Sequence, residues 1–388
     1  MKLLHLFSNH KLTGPAEPAV RLASHLLRRG HEVLFAHTPL PEALEGKIDA
    51  ACRAYGVPTT TAFALPKHFD ALATWRDSRA LARLIDAEGF DVVHCNLLGD
   101  HLTGALAAAR ARRRPRVVRT NYEAAPLPSD LRNRFLLPRR VDALIELARG
   151  ALEADAARFG LAPGQVHLLD TAVELERFDP DRALPDLREA WGVASDAFVV
   201  GLAARIQRHR RYEVLLEAVA AVRERLPRLR LVLIGRGTHM EEVAVRPVEA
   251  LGLRDVVVFP GYLRGDDYVG ALRALDVKVF LVPGTDGSCR AAREAMALGT
   301  PVLAARRGML PEIVTDGRDG LVVDDDPQGL AAALLRLGDD ADLRRRLGAG
   351  ARETALRRFD PARQAEQVEA VYRGLLEPAS PSQNTDQV

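Results

Sequence analysis

A chain of 388 residues leaves room for two domains at roughly 100–200 residues each, and 47% hydrophobic against 27% charged residues gives an ordinary globular core. Lys and Arg number 54 against 52 Asp and Glu, so the charge excess expected of a nucleic-acid-binding protein is absent. Three scattered cysteines (Cys52, Cys95, Cys289) without a C-x-x-C pair, no leader-like segment before KLLHLF and no apolar run of about 20 residues lead to the expectation of a soluble, cytoplasmic protein.

In chain order, short apolar runs at 2–7, 32–36, 91–94, 116–119 and 143–146 predict strands. Segments 18–29, 72–88 and 100–112 between them carry apolar residues at helical spacing. Strand–helix alternation of this kind predicts a parallel sheet covered on both faces. The pattern pauses at Asp179-Pro180-Asp181 and Pro185, then restarts. Strands are predicted at 198–202, 229–234, 256–259, 277–282, 302–304 and 321–323, with helices at 212–224, 240–251, 291–298 and 329–337. Two further helices follow at 342–358 and 361–376, and the tail from Pro378 has a disordered composition. The expected architecture is therefore α/β, with two doubly wound, Rossmann-like halves whose ligand lies beyond the carboxyl ends of the strands.

The chemistry sits in a few loops. Strand 198–202 runs into Arg205, Arg208, Arg210 and Arg211 just before an amphipathic helix. Guanidinium groups beside a helix amino terminus suit a diphosphate, and an exposed basic loop is the plainer alternative. Strand 277–282 runs into Gly284-Thr285-Asp286-Gly287-Ser288-Cys289-Arg290, with Glu294 on the helix that follows. Backbone N–H groups at such a helix start can bind phosphate. A carboxylate among Ala291, Ala295 and Met296 is either paired structurally or holds a ligand such as a ribose diol. Arg110, Arg112, Arg113, Arg114, Arg116 and Arg119 form a run read as a solvated helix end or as a patch for anionic lipid headgroups. His94 ends a strand and belongs either to the core or to a cleft.

Taken together, these segments resemble the family 4 glycosyltransferases of the GT-B fold. Ala204-Arg205-Ile206 through Arg210-Arg211 corresponds to a Gly-Arg-Leu-x-x-x-Lys-Gly loop, and Asp286 with Glu294 to E-x7-E. EAMALGTPV follows, then Pro311-Glu312-Ile313-Val314-Thr315-Asp316-Gly317 with Gly320-Leu321-Val322. In the first half, Gly14-Pro15-Ala16-Glu17 stands at a G-G-x-E loop, followed by RGHEV at 29–33 and Asp91-Val92-Val93-His94.

The resemblance implies two facing domains. These are an acceptor-binding domain at 1–178 and a nucleotide-sugar-binding domain at 179–360, with a helix at 361–377 crossing back and a disordered 378–388. It implies Arg205 and Arg210 on the donor diphosphate, and Glu294 on the ribose. Asp286 would face the transferred sugar, with Gly287, Ser288, Cys289, Arg290 and Gly14 around the nucleotide. Glu17, His94 and Tyr122 would lie on the acceptor side. The implied reaction is transfer of a hexose-type sugar with retention, without metal or other cofactor, to a cell-envelope or lipid-linked glycan. A soluble glycoside product and a non-catalytic nucleotide-sugar-binding subunit are the alternatives. The chain departs from the pattern at Asp286, one methylene shorter than Glu, and at Arg210 in place of Lys. Tyr122 stands where a sugar-contacting His is frequent, and Thr171-Ala172-Val173-Glu174 replaces Asn-Gly-Val-Asp.

Other signals carry less. Gly235-Arg236-Gly237 lacks the third glycine of a dinucleotide fingerprint, and Asp324-Asp325-Asp326 reads as a solvated turn and helix cap rather than a metal site. No H-x-x-x-H pair or G-x-S-x-G elbow is present. A basic, partly apolar surface is expected from the arginines at 110–119 with Arg132, Arg134, Arg139 and Arg140 around Phe135-Leu136-Leu137, facing anionic lipid.

Overall fold

The computed structural model describes residues 1–12, 14–40, 47–123, 125–282 and 289–377. It divides into two compact units, one comprising Met1–Leu169 with the chain from Ala362 onward, the other Asp170–Pro361. The division thus falls between Leu169 and Asp170, ahead of the 178/179 boundary expected from the proline-bearing stretch. The expected disordered tail, 378–388, lies outside the described residues.

The first unit alternates β1 (Lys2–Phe7), α1 (Ala16–Arg28), β2 (Glu32–His37), α2 (Lys47–Ala54), β3 (Thr59–Thr60), α3 (Ala71–Glu88), β4 (Val92–Cys95) and α4 (Leu98–Arg110). It continues with β5 (Arg116–Asn121), α5 (Leu131–Arg140), β6 (Ala143–Glu146), α6 (Arg149–Phe159) and β7 (Val166–Leu168). The sheet order is β3-β2-β1-β4-β5-β6-β7, with every pairing parallel. Its strands are buried almost throughout because helices cover both faces. Leu81, Ile85, Ala107, Leu137 and Phe159 of α3 to α6 pack on one face; Ala19, Val20 and Leu26 of α1 pack on the other.

The second unit begins with α7 (Leu187–Ala190), β8 (Phe198–Ala203), α8 (Tyr212–Val222), β9 (Leu229–Ile234), α9 (Arg246–Ala250), β10 (Val257–Gly261), α10 (Gly265–Arg273) and β11 (Val277–Phe280). It ends with α11 (Arg290–Ala297), β12 (Val302–Ala305), α12 (Leu310–Ile313), β13 (Gly320–Val323), α13 (Pro327–Asp339) and α14 (Ala341–Arg358). Its sheet order, β10-β9-β8-β11-β12-β13, is again parallel. The last helix, α15 (Pro361–Leu376), packs Ala365, Val368 and Tyr372 into the first unit's core. Each sheet reverses its strand order once, at β1/β4 and at β8/β11, and such switch points are where open α/β sheets bind ligands.

One expectation is refined and two need correction. The helix predicted over 240–251 forms, with a π-turn at Glu241–Val245 leading into α9. Arg119 is 3% exposed and belongs to the interior. Its guanidinium donates to His101 Nδ1 at 2.7 Å and to Asn133 Oδ1 at 3.0 Å, so the exposed arginine run ends at Arg116. Leu136 and Leu137 are buried too, which leaves Phe135 as the exposed member of that apolar triplet.

Candidate functional site

The donor side is built at the β8/β11 switch. β8 ends on Ala203, and the next residues run against the loop that leaves β9. A Cβ on Gly235 would fall 2.1 Å from the carbonyl oxygen of Ala204, and one on Gly237 would meet that of Ile206. These glycines therefore serve backbone contact, which accounts physically for the incomplete dinucleotide pattern. Held by that contact, Arg205 is exposed and makes no side-chain hydrogen bond or ion pair among the described residues. A short 3-10 turn at Arg208–Arg210 follows. Arg210 turns inward and donates to the carbonyl of Val282 at 3.0 Å, which spans the ends of β8 and β11. Arg208 faces outward to Glu242 at 2.8 Å. Arg211 sits at a positive φ of 63° and donates to the Asp325 carbonyl at 3.2 Å.

Across the switch, α11 opens at Arg290, with Cys289 before it at φ 47°. Asp286, Gly287 and Ser288, expected at this helix start, lie outside the described residues. Glu294 is on the buried face of α11 and 7% exposed. It accepts a hydrogen bond from the Tyr268 hydroxyl at 2.7 Å, and the Arg290 guanidinium lies 3.7 Å away. The buried carboxylate therefore has structural donors whether or not a ligand is bound. Burial first, and then the Glu294 charge, push the Tyr268 phenol well above its usual range and keep it a donor.

The sequence reading overlooked Lys278. It is wholly buried in the middle of β11, paired with Gly201 of β8 and Val302 of β12. Its ammonium donates to the Val279 carbonyl at 2.8 Å and lies 5.3 Å from the centre of the Phe280 ring. With Arg210, Ala203, Ala204 and Val282 it lines one small cavity. The Lys278 pKa is lowered from 10.5 to about 7, by burial first and then by the Arg210 charge, with Glu294 opposing. A lysine inside the apolar run VKVFLV was the available signal.

In the first unit, the carboxyl ends of β1, β4 and β5 bring together Ser8, Asn96, Asp100 and Tyr122. Asp100 accepts the backbone N–H of Ser8 at 2.9 Å and of Leu97 at 3.0 Å; complete burial nevertheless raises its pKa to about 8. Tyr122 is buried and donates to Asn96 Oδ1 at 3.3 Å. Gly14 lies in the turn that leads into α1, and Glu17 in the first turn of α1 accepts from Arg21 at 2.7 Å. His94 is placed in the core and not at a surface. Its Nε2 is 2.7 Å from Thr120 Oγ1, its Nδ1 meets the Tyr372 hydroxyl, and its ring lies 4.8 Å from that of His5. Burial first, and then the neighbouring His5, hold His94 well below the ordinary histidine range and keep it neutral.

Asp324-Asp325-Asp326 is largely a cap. Asp326 accepts the Gly329 N–H at 2.7 Å at the start of α13, while Asp325 is mostly buried between Arg211 and Arg307 and not solvated as expected. No group of three His, Cys, Asp or Glu suited to a metal ion occurs among the described residues. No helix among them is long and apolar enough to cross a membrane.

These features coincide with known proteins. The family described as glycosyl transferases group 1 matches residues 185–354, and glycosyltransferase family 4 matches residues 14–177. A D-inositol 3-phosphate glycosyltransferase of Saccharomonospora viridis is 33% identical over 381 residues, covering 92% of this chain and 82% of that protein. A glycosyltransferase of Rickettsia africae shares the fold at a TM-score of 0.82 and 14% identity, over 97% of this chain and 99% of that one. Anabaena HepE, solved with UDP, does so at 0.78 and 20% identity, over 96% and 100%. The chain, with its two parallel-sheet α/β domains, belongs to the family 4 glycosyltransferases of the GT-B fold.

Proposed function

We propose that the enzyme moves a hexose-type sugar, with retention of anomeric configuration, from a nucleotide-diphosphate sugar to a lipid-linked or cell-envelope glycan. The observation that carries the donor half is the cation set at the β8/β11 switch. Arg205 is exposed and uncommitted among the described residues, Arg210 is anchored on Val282 with its fork at the strand ends, and Lys278 lies behind them. The bond that breaks joins the anomeric carbon to the diphosphate, and the departing group gathers negative charge. Preorganised guanidiniums offset that charge without a metal ion. Glu294, held by Tyr268, is positioned to accept from the ribose hydroxyls. Anabaena HepE, solved with UDP-glucose, supports UDP as the first nucleotide to try.

A soluble phosphorylated polyol is the second reading for the acceptor, favoured by the D-inositol 3-phosphate named for the Saccharomonospora relative. A thermal-shift panel of UDP-, GDP- and ADP-sugars identifies the donor. Transfer from that donor to an extracted lipid-linked glycan, and not to inositol phosphate, is the expected result; the reverse preference refutes the lipid-linked assignment.

A further inference from the structure

The helices α3, α4, α5 and α6 pack on one face of the first sheet, with α4 against both α3 and α5. Each follows one strand and leads into the next, so their amino termini align along the carboxyl edge of that sheet. Six of the ten large apolar side chains exposed among the described residues stand at this rim. Phe69 is 69% exposed, Leu72 74% and Trp75 49% at the start of α3; Leu98 is 37% exposed at the start of α4; Leu131 is 87% and Phe135 49% exposed on α5. Monomeric soluble proteins rarely gather exposed apolar groups in this way without an interaction partner.

The local backbone fixes the display. Leu65 takes a positive φ of 37°, held by its N–H on the buried carboxylate of Asp77 at 2.8 Å and by its carbonyl, which accepts from Thr38 at 2.7 Å. The next turn lies so close to α4 that a Cβ on Gly99 would fall 2.6 Å from the Pro66 carbonyl oxygen, which seats the segment leading to Phe69 beside Leu98. Lys67, Arg76, Arg79, Arg132 and Arg134 interleave with the apolar groups; Arg132 pairs with Asp130 at 3.2 Å and Arg76 lies 3.8 Å from Asp77, while Arg79 stacks on Trp75 at 4.3 Å. The nearby acids are mostly committed. Asp70 and Asp130 cap α3 and α5 through Ala73 and Asn133 N–H groups, and Asp77 is buried.

Aromatic and leucine side chains interspersed with long cations suit the boundary between headgroups and acyl chains, where the cations reach phosphate and the apolar groups enter hydrocarbon. We propose that this rim, from Phe69 to Phe135 along the carboxyl edge of the first sheet, docks the enzyme on an anionic lipid bilayer. The arginines at 112–116 stand at the other, amino edge, where Arg113 and Arg116 are neutralised in part by Asp91 and Asp142, and they take no part. The inference deepens the lipid-linked acceptor reading and rests on it for its purpose, but its test does not use the transfer reaction.

The full-length protein is floated with vesicles of phosphatidylcholine containing about one-third phosphatidylglycerol. Binding is expected for the wild type, falling with salt and with the anionic fraction. Leu72→Ser with Trp75→Ser should weaken it by about tenfold or more, the ratio that burial of large apolar side chains sustains. Arg112→Glu with Arg114→Glu, at the amino edge, should leave it unchanged. With Trp191→Phe as background, Trp75 fluorescence should shift to the blue on anionic vesicles alone, a readout that needs no rim substitution. Absence of wild-type binding, equal loss in the amino-edge variant, or a silent Trp75 overturns the proposal. So does a rim variant that changes only the solution mass, which would assign the rim to a second copy of the chain. Transfer to a detergent-solubilised acceptor is measured separately: its failure strikes the acceptor assignment and leaves the docking result standing.

Discussion

Lys278→Met removes a buried ammonium and keeps the unbranched side chain as far as Cε. The wild-type pKa near 7, against 10.5 in ordinary surroundings, sets the scale. At about 1.4 kcal/mol for each tenfold change in proton affinity, the full cost of keeping Lys278 charged when folded is roughly 5 kcal/mol. The lowered folded pKa also fixes the sign. Between pH 7 and 10.5 the unfolded chain binds more protons than the folded one, so stability rises with pH across that window, and the whole cost is present below pH 7. The variant lacks this dependence, but it also loses the bond to Val279 and the contact with Phe280, so a net gain of about 2–4 kcal/mol is expected at pH 6, falling by about 4 kcal/mol to zero or a small net loss by pH 10. Urea unfolding in a Trp75→Phe background, followed through Trp191, reports the second unit by itself, which matters because a two-domain chain need not unfold in one step. A variant less stable than the wild type by the same amount at every pH would refute the reasoning and make Lys278 a well-paired structural cation.

Arg205→Ala should leave unfolding unchanged, since Arg205 is exposed and makes no bond among the described residues, while turnover falls by about two to three powers of ten, as for loss of one preorganised donor to a developing anion; unchanged turnover and nucleotide affinity would remove Arg205 from the site. Glu294→Gln retains an acceptor for Tyr268 and should weaken nucleotide binding about tenfold to a hundredfold, equivalent to roughly 1.5–3 kcal/mol, with little change in apo melting temperature; a drop in melting temperature without loss of affinity would make Glu294 a structural partner of Tyr268 and Arg290. Turnover should survive EDTA, and complete loss restored by Mn²⁺ would refute the metal-free reading.

Hydrophobic periodicity was enough to find both sheets and most of the helices that cover them, because the strands are buried on both faces and read as unbroken apolar runs. Among the elements it missed are some whose faces are small or mixed. β3 is two threonines, and α5 carries four arginines and an internal proline in ten residues. At the candidate site, Arg205 and Arg210 draw notice in the sequence as charges on a loop just before a helix, and Glu294 as a carboxylate among Ala291, Ala295 and Met296 on a helix; their ligand roles are proposals. The placement of His94 and Arg119 was not legible, since a strand-end polar residue looks the same in sequence whether it faces solvent or a buried network of Thr120, Tyr372, His101 and Asn133. Lys278 was passed over for the converse reason: strand pattern alone assigns a residue to a face and does not weigh what a charge costs there.

The two switch points differ in electrostatic character. At β8/β11 the chain assembles Arg205, Arg210 and Lys278, and holding Lys278 there lowers its proton affinity; a diphosphate placed among them would relieve that cost. At β1/β4 the buried groups are held neutral: His5 has its pKa pushed to about 3, His94 and His101 lie well below the ordinary range, and Asp100 is lifted to about 8. Arg119 is the buried charge that remains, and it is spent on His101 and Asn133. Apart from Arg119, the buried polar groups at this end of the first sheet therefore act through hydrogen-bond placement more than through ion pairing. Such a setting is what the proposed acceptor, a neutral sugar hydroxyl, would require, and preferred transfer to a phosphorylated polyol would overturn that proposal.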